Sequence, residues 1–307
     1  MMKLRSVLTL VLVLPWVLVQ ASPEIQSWKT ARGGKVLFVP APELPMVDIR
    51  VVFDAGSARD GATPGIAALM LAVIDQGAGG LSADEIARGF EDRGANIGGG
   101  AERDMTWLSL RSLTDAELLE PSLELFAKVL QVPDFPEDDF RREQQRTLIA
   151  LQYQQQKPGT IVSRQFYESV FGKHPYAIDT SGTSDAVKKL TADDLEKFYR
   201  RYFVASNATV AIVGDVDRKQ AEVIAARLVD ALPAGEPLEP LPEVAQIEQA
   251  NEVFIEHPST QSHVLMGAPG MHRGDPDYFP LYVGNHILGG SGLVSRISNE
   301  IREKRGL

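Results

Sequence analysis

The chain has 307 residues, 44% of them hydrophobic and 23% charged, which is enough for one large or two medium globular units. Its formal net charge of −10 argues against nucleic acid or an anionic membrane surface as the main partner. With no cysteine, it has no disulfide framework, no thiolate metal site and no thiol nucleophile.

The N-terminus reads as an export signal. Lys3 and Arg5 precede the apolar run Val7–Val19, and Val19 and Ala21 occupy the small-residue positions before a cut after Ala21. The run is short for a membrane span, and a retained N-terminal anchor is the alternative. No cysteine flanks the cut, so a lipid-anchored form is excluded. The expected destination is the periplasm or the extracellular space.

β-rich runs follow over Lys35–Val39 and Met46–Ala55, separated by a Pro-rich stretch. "GIAALMLAVIDQGAGG" then predicts a helix over Gly65–Gln76 whose interior holds neither His nor Glu. Ser82, with Glu85 three residues on, predicts a capping box for the next helix, which Gly94 closes. Asn96–Ala101 and Met105–Leu113 read as strands joined by a hairpin turn. The apolar stripe Leu118, Leu119, Leu123, Phe126 and Leu130 marks a helix. A longer helix follows and stops at Pro158. Two more come after it, the second opened by Thr191 and Asp194 in capping-box style. "ATVAIVGDV" reads as a buried strand and "DRKQAEVIAARLVDAL" as a helix. "PAGEPLEPLPEVAQ" is the best linker candidate.

An internal repeat crosses that linker. Residues 35–80 and 251–292 share one order: strand, Pro-containing turn, strand, acidic turn, apolar helix and Gly cluster. "EIARGFEDRGA" continues the match with "SNEIREKRGL", at a separation of 212 to 216 residues. The expected fold class is α+β, with tandem homologous domains, each a mostly antiparallel sheet with helices on one face. The expected boundaries are a signal peptide at 1–21, a first domain at 22–235, a linker at 236–250 and the start of a truncated second domain at 251–307.

Several stretches resemble the insulinase/pitrilysin family of zinc peptidases. "FGKHPYAIDTSGTSDAVKKLTADDLEKFYRRYFVASNATVAIVGDV" is similar to that family's G-x-H-P-Y…L-T…D-L…F-Y…N…G-D pattern. "LSADEIARGFEDRGANIGGG" resembles its segment after the catalytic helix, and "FRREQQRTLIALQYQQQKPG" its long helix ending near a proline. The resemblance implies an inverted H-x-x-E-H zinc motif on the first helix. In that frame Ala68 takes the first His position, Leu71 the catalytic Glu and Ala72 the second His. A downstream E-x6-E frame keeps Glu143 but puts Ala150 at the ligand position. Alanine and leucine offer zinc no lone pair, and three protein ligands must converge within about 2.2 Å of the metal. No cofactor is therefore expected in this chain, and no peptide hydrolysis by it alone.

The family resemblance also implies a role. Some members act in pairs, in which a zinc-free chain lends an Arg and a Tyr to the site of a zinc-bearing homologue. "IREKRGL" places Arg302 at the Arg, and the Tyr would fall beyond Leu307. Such residues would hold substrate and stabilise an oxyanion. From spacing alone, Arg302 is one more charge on a solvated helix face beside Glu300, Glu303 and Lys304. The Gly-rich stretch around Gly289, Gly290 and Gly292 resembles a partner-contact or hinge loop, or else a plain helix end. His174 fits a family turn motif. The expected partners are a zinc-bearing homologue, with zinc in that partner, and a peptide substrate. The alternative is a scaffold that keeps the fold without a role in proteolysis.

Overall fold

The computed structural model describes residues 23–290 and 292–306. The expected signal peptide lies outside the described residues. No helix among them is long and apolar enough to cross a membrane.

The elements run β1 (Gln26–Lys29), β2 (Lys35–Pro40), β3 (Met46–Phe53), α1 (Ile66–Val73), β4 (Gly77–Ala78), β5 (Leu81–Ser82) and α2 (Ala83–Glu91). Then come β6 (Asn96–Ala101), β7 (Thr106–Leu113), α3 (Ala116–Gln131), α4 (Glu137–Gln154), α5 (Pro158–Phe171), α6 (Ser184–Val187) and α7 (Ala192–Tyr202). β8 (Ala208–Gly214), α8 (Arg218–Val229) and α9 (Tyr278–Asn285) follow. Six strands form one sheet in the order β1-β2-β8-β3-β7-β6. Only β2 and β8 run parallel; the other pairs are antiparallel.

Alternation along the strands builds the core. Val36, Phe38, Val47, Ile49, Val51, Phe53, Val210 and Ile212 are all at most 1% exposed and point to one face. Helices α3 and α8 pack there, and α1 sits among α4, α7 and β6. The opposite face carries Lys35, Asp48, Arg50 and Arg111 and has no helical layer; residues 240–244 border a hollow beside Lys35 and Thr209.

Local chemistry fixes the helix ends as the sequence predicts. Ser82 with Glu85 and Thr191 with Asp194 form reciprocal capping boxes, and Asp217 with Gln220 forms a third that was not anticipated. Pro158 ends α4's run by occupying the first turn of α5, where its missing N–H costs nothing. β1 and the short β4–β5 hairpin were also unforeseen: four- and two-residue strands are too brief to show a period.

Residues 233–277 form no helix or strand. The two strands expected in the second repeat are not formed; among the described residues its helical parts appear, as α9 and as a helical turn at Ser298–Glu303. A strand is held by the neighbour that takes its backbone bonds, and here no partner run lies alongside. Phe254 (88% exposed) and Met266 (96%) accordingly face solvent.

Candidate functional site

The start of α1 is set by two features. Gly65 has φ of 96°, and a Cβ there would stand 2.8 Å from the carbonyl oxygen of Ser181. Asp60, 7% exposed, accepts the N–H groups of Gly65 (2.6 Å) and Ala67 (3.2 Å). These bonds favour the carboxylate, but burial outweighs them and pushes its pKa up to about 7.

With α1 fixed, Ala68, Leu71, Ala72 and Asp75 share one face by their spacing of three and four. They line a hollow of about 370 Å³, closed by Ile97, Gly98 and Glu143. The three altered family positions therefore meet in one place. Ala150 does not join them: it is exposed on α4, two turns beyond Glu143, and it is Glu143 that faces the hollow.

Glu143 is 8% exposed, and a buried carboxylate needs charge compensation. Arg146 Nη1 supplies it at 3.0 Å and 3.2 Å from the two oxygens, with Arg142 Nε at 3.4 Å. Arg142 is held in turn by Asp139 and by Gln76 Oε1, the latter at 2.7 Å. Two arginines thus compensate the acid at the edge of the hollow. The hollow offers two carboxylates and no imidazole, and among the described residues no three His, Asp or Glu come together as a metal set. This donor set does not fit zinc. Sequence reading found Glu143 but not its arginines, although Arg146 lies at the i+3 position, where a helix brings side chains together.

Arg302 is exposed on a helical turn, Ser298–Glu303. Gly289 and Gly290 lie in the turn after α9, and Gly292 has φ of 60°; all three are exposed. None of them lines the hollow under α1. His174 does more than shape a turn. It is 7% exposed, and its Nδ1 accepts the N–H of Tyr176 at 3.1 Å. The proton must then sit on Nε2, which donates to the carbonyl of Pro242 at 2.9 Å. Arg59, paired with Asp54, donates to the carbonyl of Glu239 at 2.6 Å. The Pro-rich segment is therefore fastened to the sheet domain.

Comparison with known proteins identifies the family. The family model for "Insulinase (Peptidase family M16)" matches residues 35–184, and that for "Peptidase M16 inactive domain" matches residues 189–307. A peptidase M16 inactive domain from Pseudomonas fluorescens superposes with a TM-score of 0.84 at 39% identity, over 92% of this chain and 68% of that one. An uncharacterized zinc protease of Streptomyces coelicolor is 31% identical over 235 residues, 74% of this chain and 50% of the relative. A Helicobacter pylori protein described as a non-peptidase homologue is 24% identical over 266 residues, covering 86% of this chain and 61% of its own length. The chain belongs to the insulinase family, peptidase family M16. It spans half of the Streptomyces coelicolor relative and 67% of a Rickettsia bellii one.

Proposed function

We propose that this chain is a zinc-free, non-catalytic subunit of an insulinase-type peptidase. It pairs with a zinc-bearing homologue around a peptide substrate, in the periplasm or outside the cell. The carrying observation is the hollow under α1. The fold and the helix frame are kept, yet Ala68, Leu71 and Ala72 leave no ligand or base, and Glu143 is already neutralised by Arg146. Chemistry must then come from the partner, which would supply the zinc.

Arg302 is this chain's contribution in that reading. Its exposed guanidinium would hold a substrate carbonyl or carboxylate next to the partner's metal, where a charge-assisted bond strengthens as charge develops. The exposed glycines Gly289, Gly290 and Gly292 would let the contact between subunits adjust. The test mixes the full-length protein with a zinc-bearing homologue and follows cleavage of a quenched fluorescent peptide. Cleavage should rise on mixing and fall by at least about tenfold with Arg302→Ala, a loss of ~1.4 kcal/mol of transition-state binding. Cleavage indifferent to this chain would sink the reading.

A second reading is supported by the similarity to a protein described as a non-peptidase homologue: a scaffold that keeps the fold to hold a complex together. It predicts a stable complex with the zinc-bearing chain whose activity does not respond to Arg302→Ala.

A further inference from the structure

The open face of the sheet carries charge of the wrong sign for this chain. Strand register fixes which side chains share it. Lys29, Lys35 and Thr209 stand in one row as direct partners on β1, β2 and β8. Ala211 and Arg50 stand in the next row, and Asp48 and Arg111 in the third. Four cations thus face outward on the strands against Asp48, on a chain of net charge −10, while Asp54, Asp104 and Glu243 line the hollow beside Lys29 and Lys35.

The cations are also underused. Lys29 and Lys35 lie directly opposite each other, a placement that destabilises a strand pair. Among the described residues neither lysine makes an ion pair, nor does Arg50. Arg50 instead lies over the Trp107 ring, 4.2 Å from its centroid, which holds the guanidinium in place. Arg111 pairs with Asp48 at 2.6 Å but remains 57% exposed.

Shape completes the arrangement. Thr209 and Ala211 are small and form a trough along β8, with Lys35 on one neighbouring strand and Arg50 on the other. Strands lie about 4.8 Å apart, so β2 and β3 flank a trough roughly 10 Å across, the width of an extended chain with its side chains, with Lys35 beside Thr209 and Arg50 one row on beside Ala211. The adjoining hollow, about 740 Å³, is lined by Arg50, Ser109, Arg111 and Ala211. Ile97 and Gly98 of β6 line both this hollow and the one under α1. The protein's own sequence follows the same complementarity. Residues 233–256 carry six Glu and no Lys or Arg, and Glu243 lines the hollow that also holds Lys29 and Lys35.

We propose that the open sheet face binds an acidic, extended stretch of polypeptide, its carboxylates held by Lys29 and Lys35 on one side of the β8 trough and by Arg50 and Arg111 on the other. This binding is a property of the chain alone and is read without any peptidase partner, so it stands or falls separately from subunit pairing.

The test is fluorescence anisotropy of a labelled peptide of alternating Glu and Gly, titrated with the full chain at low and high ionic strength. The acidic peptide should bind, its Lys–Gly counterpart should not, and added salt should weaken the complex. Lys29→Gln and Lys35→Gln should each weaken binding about two- to fivefold, and the pair combined with Arg50→Gln by at least about tenfold. Lys219→Gln, on α8 in the helical layer, should bind as the parent does. All four positions are exposed, so circular dichroism should be unchanged. Equal binding of acidic and basic peptides, or parent-like binding by the triple variant, overturns the proposal. So does tighter binding of a single-stranded oligonucleotide than of the acidic peptide.

Discussion

His174 Nε2 lies 2.9 Å from the carbonyl oxygen of Pro242, a residue 68 positions further along the chain. The tautomer is dictated locally, since the Tyr176 N–H occupies Nδ1. A ring set by its own turn is thereby aimed at the Pro-rich segment. The H-P-Y motif and the segment beyond α8 form one structural unit, with Arg59 as the second fastening.

That unit makes a direct prediction. His174→Ala leaves a carbonyl without its donor and should lower stability by about 1–2 kcal/mol. The more specific readout is limited proteolysis. Cleavage within residues 236–250 should become several-fold faster, while the sheet domain is cut no sooner. An unchanged cleavage rate in that segment would show that the bond does not hold it.

Asp60 predicts a pH dependence with a definite sign. Its pKa is 3.8 in an open chain and about 7 in the folded protein, raised chiefly by burial. Between those values the folded state holds a proton that the unfolded state has released. Stability is therefore greatest below about pH 4 as far as this group is concerned, and falls as pH rises to 7. The change is on the order of a few kcal/mol. Urea titrations at pH 5 and pH 8 measure it. Asp60→Asn, which keeps an acceptor for the α1 amides, should flatten the slope; an equal slope in the variant would assign it to other groups.

Much of this was legible in the sequence because the signals are local. Ser82 with Glu85 and Thr191 with Asp194 announce helix starts that depend on nothing distant. The β-branched residues of β2, β3 and β8 and the alternation along β7 announce strands buried on one face. The helix frame of α1 identified Ala68, Leu71 and Ala72 as one group, and they do share a hollow. What failed was tertiary. The second repeat's opening runs match strands by pattern but have no neighbour to pair with. The family resemblance put Ala150 at the ligand position, yet it lies exposed on α4, two turns beyond Glu143, and does not line the hollow. The arginines that neutralise Glu143 were invisible because nothing in the sequence says that this carboxylate is buried.

The Glu143–Arg146 pair can be tested by a double-mutant cycle. Arg146 is 72% exposed, so solvent screens most of its attraction. Arg146→Ala should cost about 1 kcal/mol, by leaving a buried carboxylate short of a partner. Adding Glu143→Gln should recover most of that loss, since the neutral amide no longer needs compensation. Additive losses in the thermal unfolding of the double variant would show that the two side chains do not interact.

The last prediction rebuilds what α1 lacks. Ala68 and Ala72 lie four residues apart on one face and border the same hollow as Glu143. Ala68→His with Ala72→His would place two imidazoles where a shared metal can reach both, with Glu143 as a candidate third donor. The parent chain should take up no zinc at this hollow in a calorimetric titration, whereas the double variant should bind it. Arg146 competes with a metal for the Glu143 carboxylate, so adding Arg146→Ala should tighten zinc further, by about tenfold for each 1.4 kcal/mol of competition removed. Adding Glu143→Ala instead should weaken it. A double variant that binds no zinc would mean that the hollow under α1 does not preserve the geometry of the family's metal site, and equal binding with and without Glu143 would mean that Glu143 is no donor.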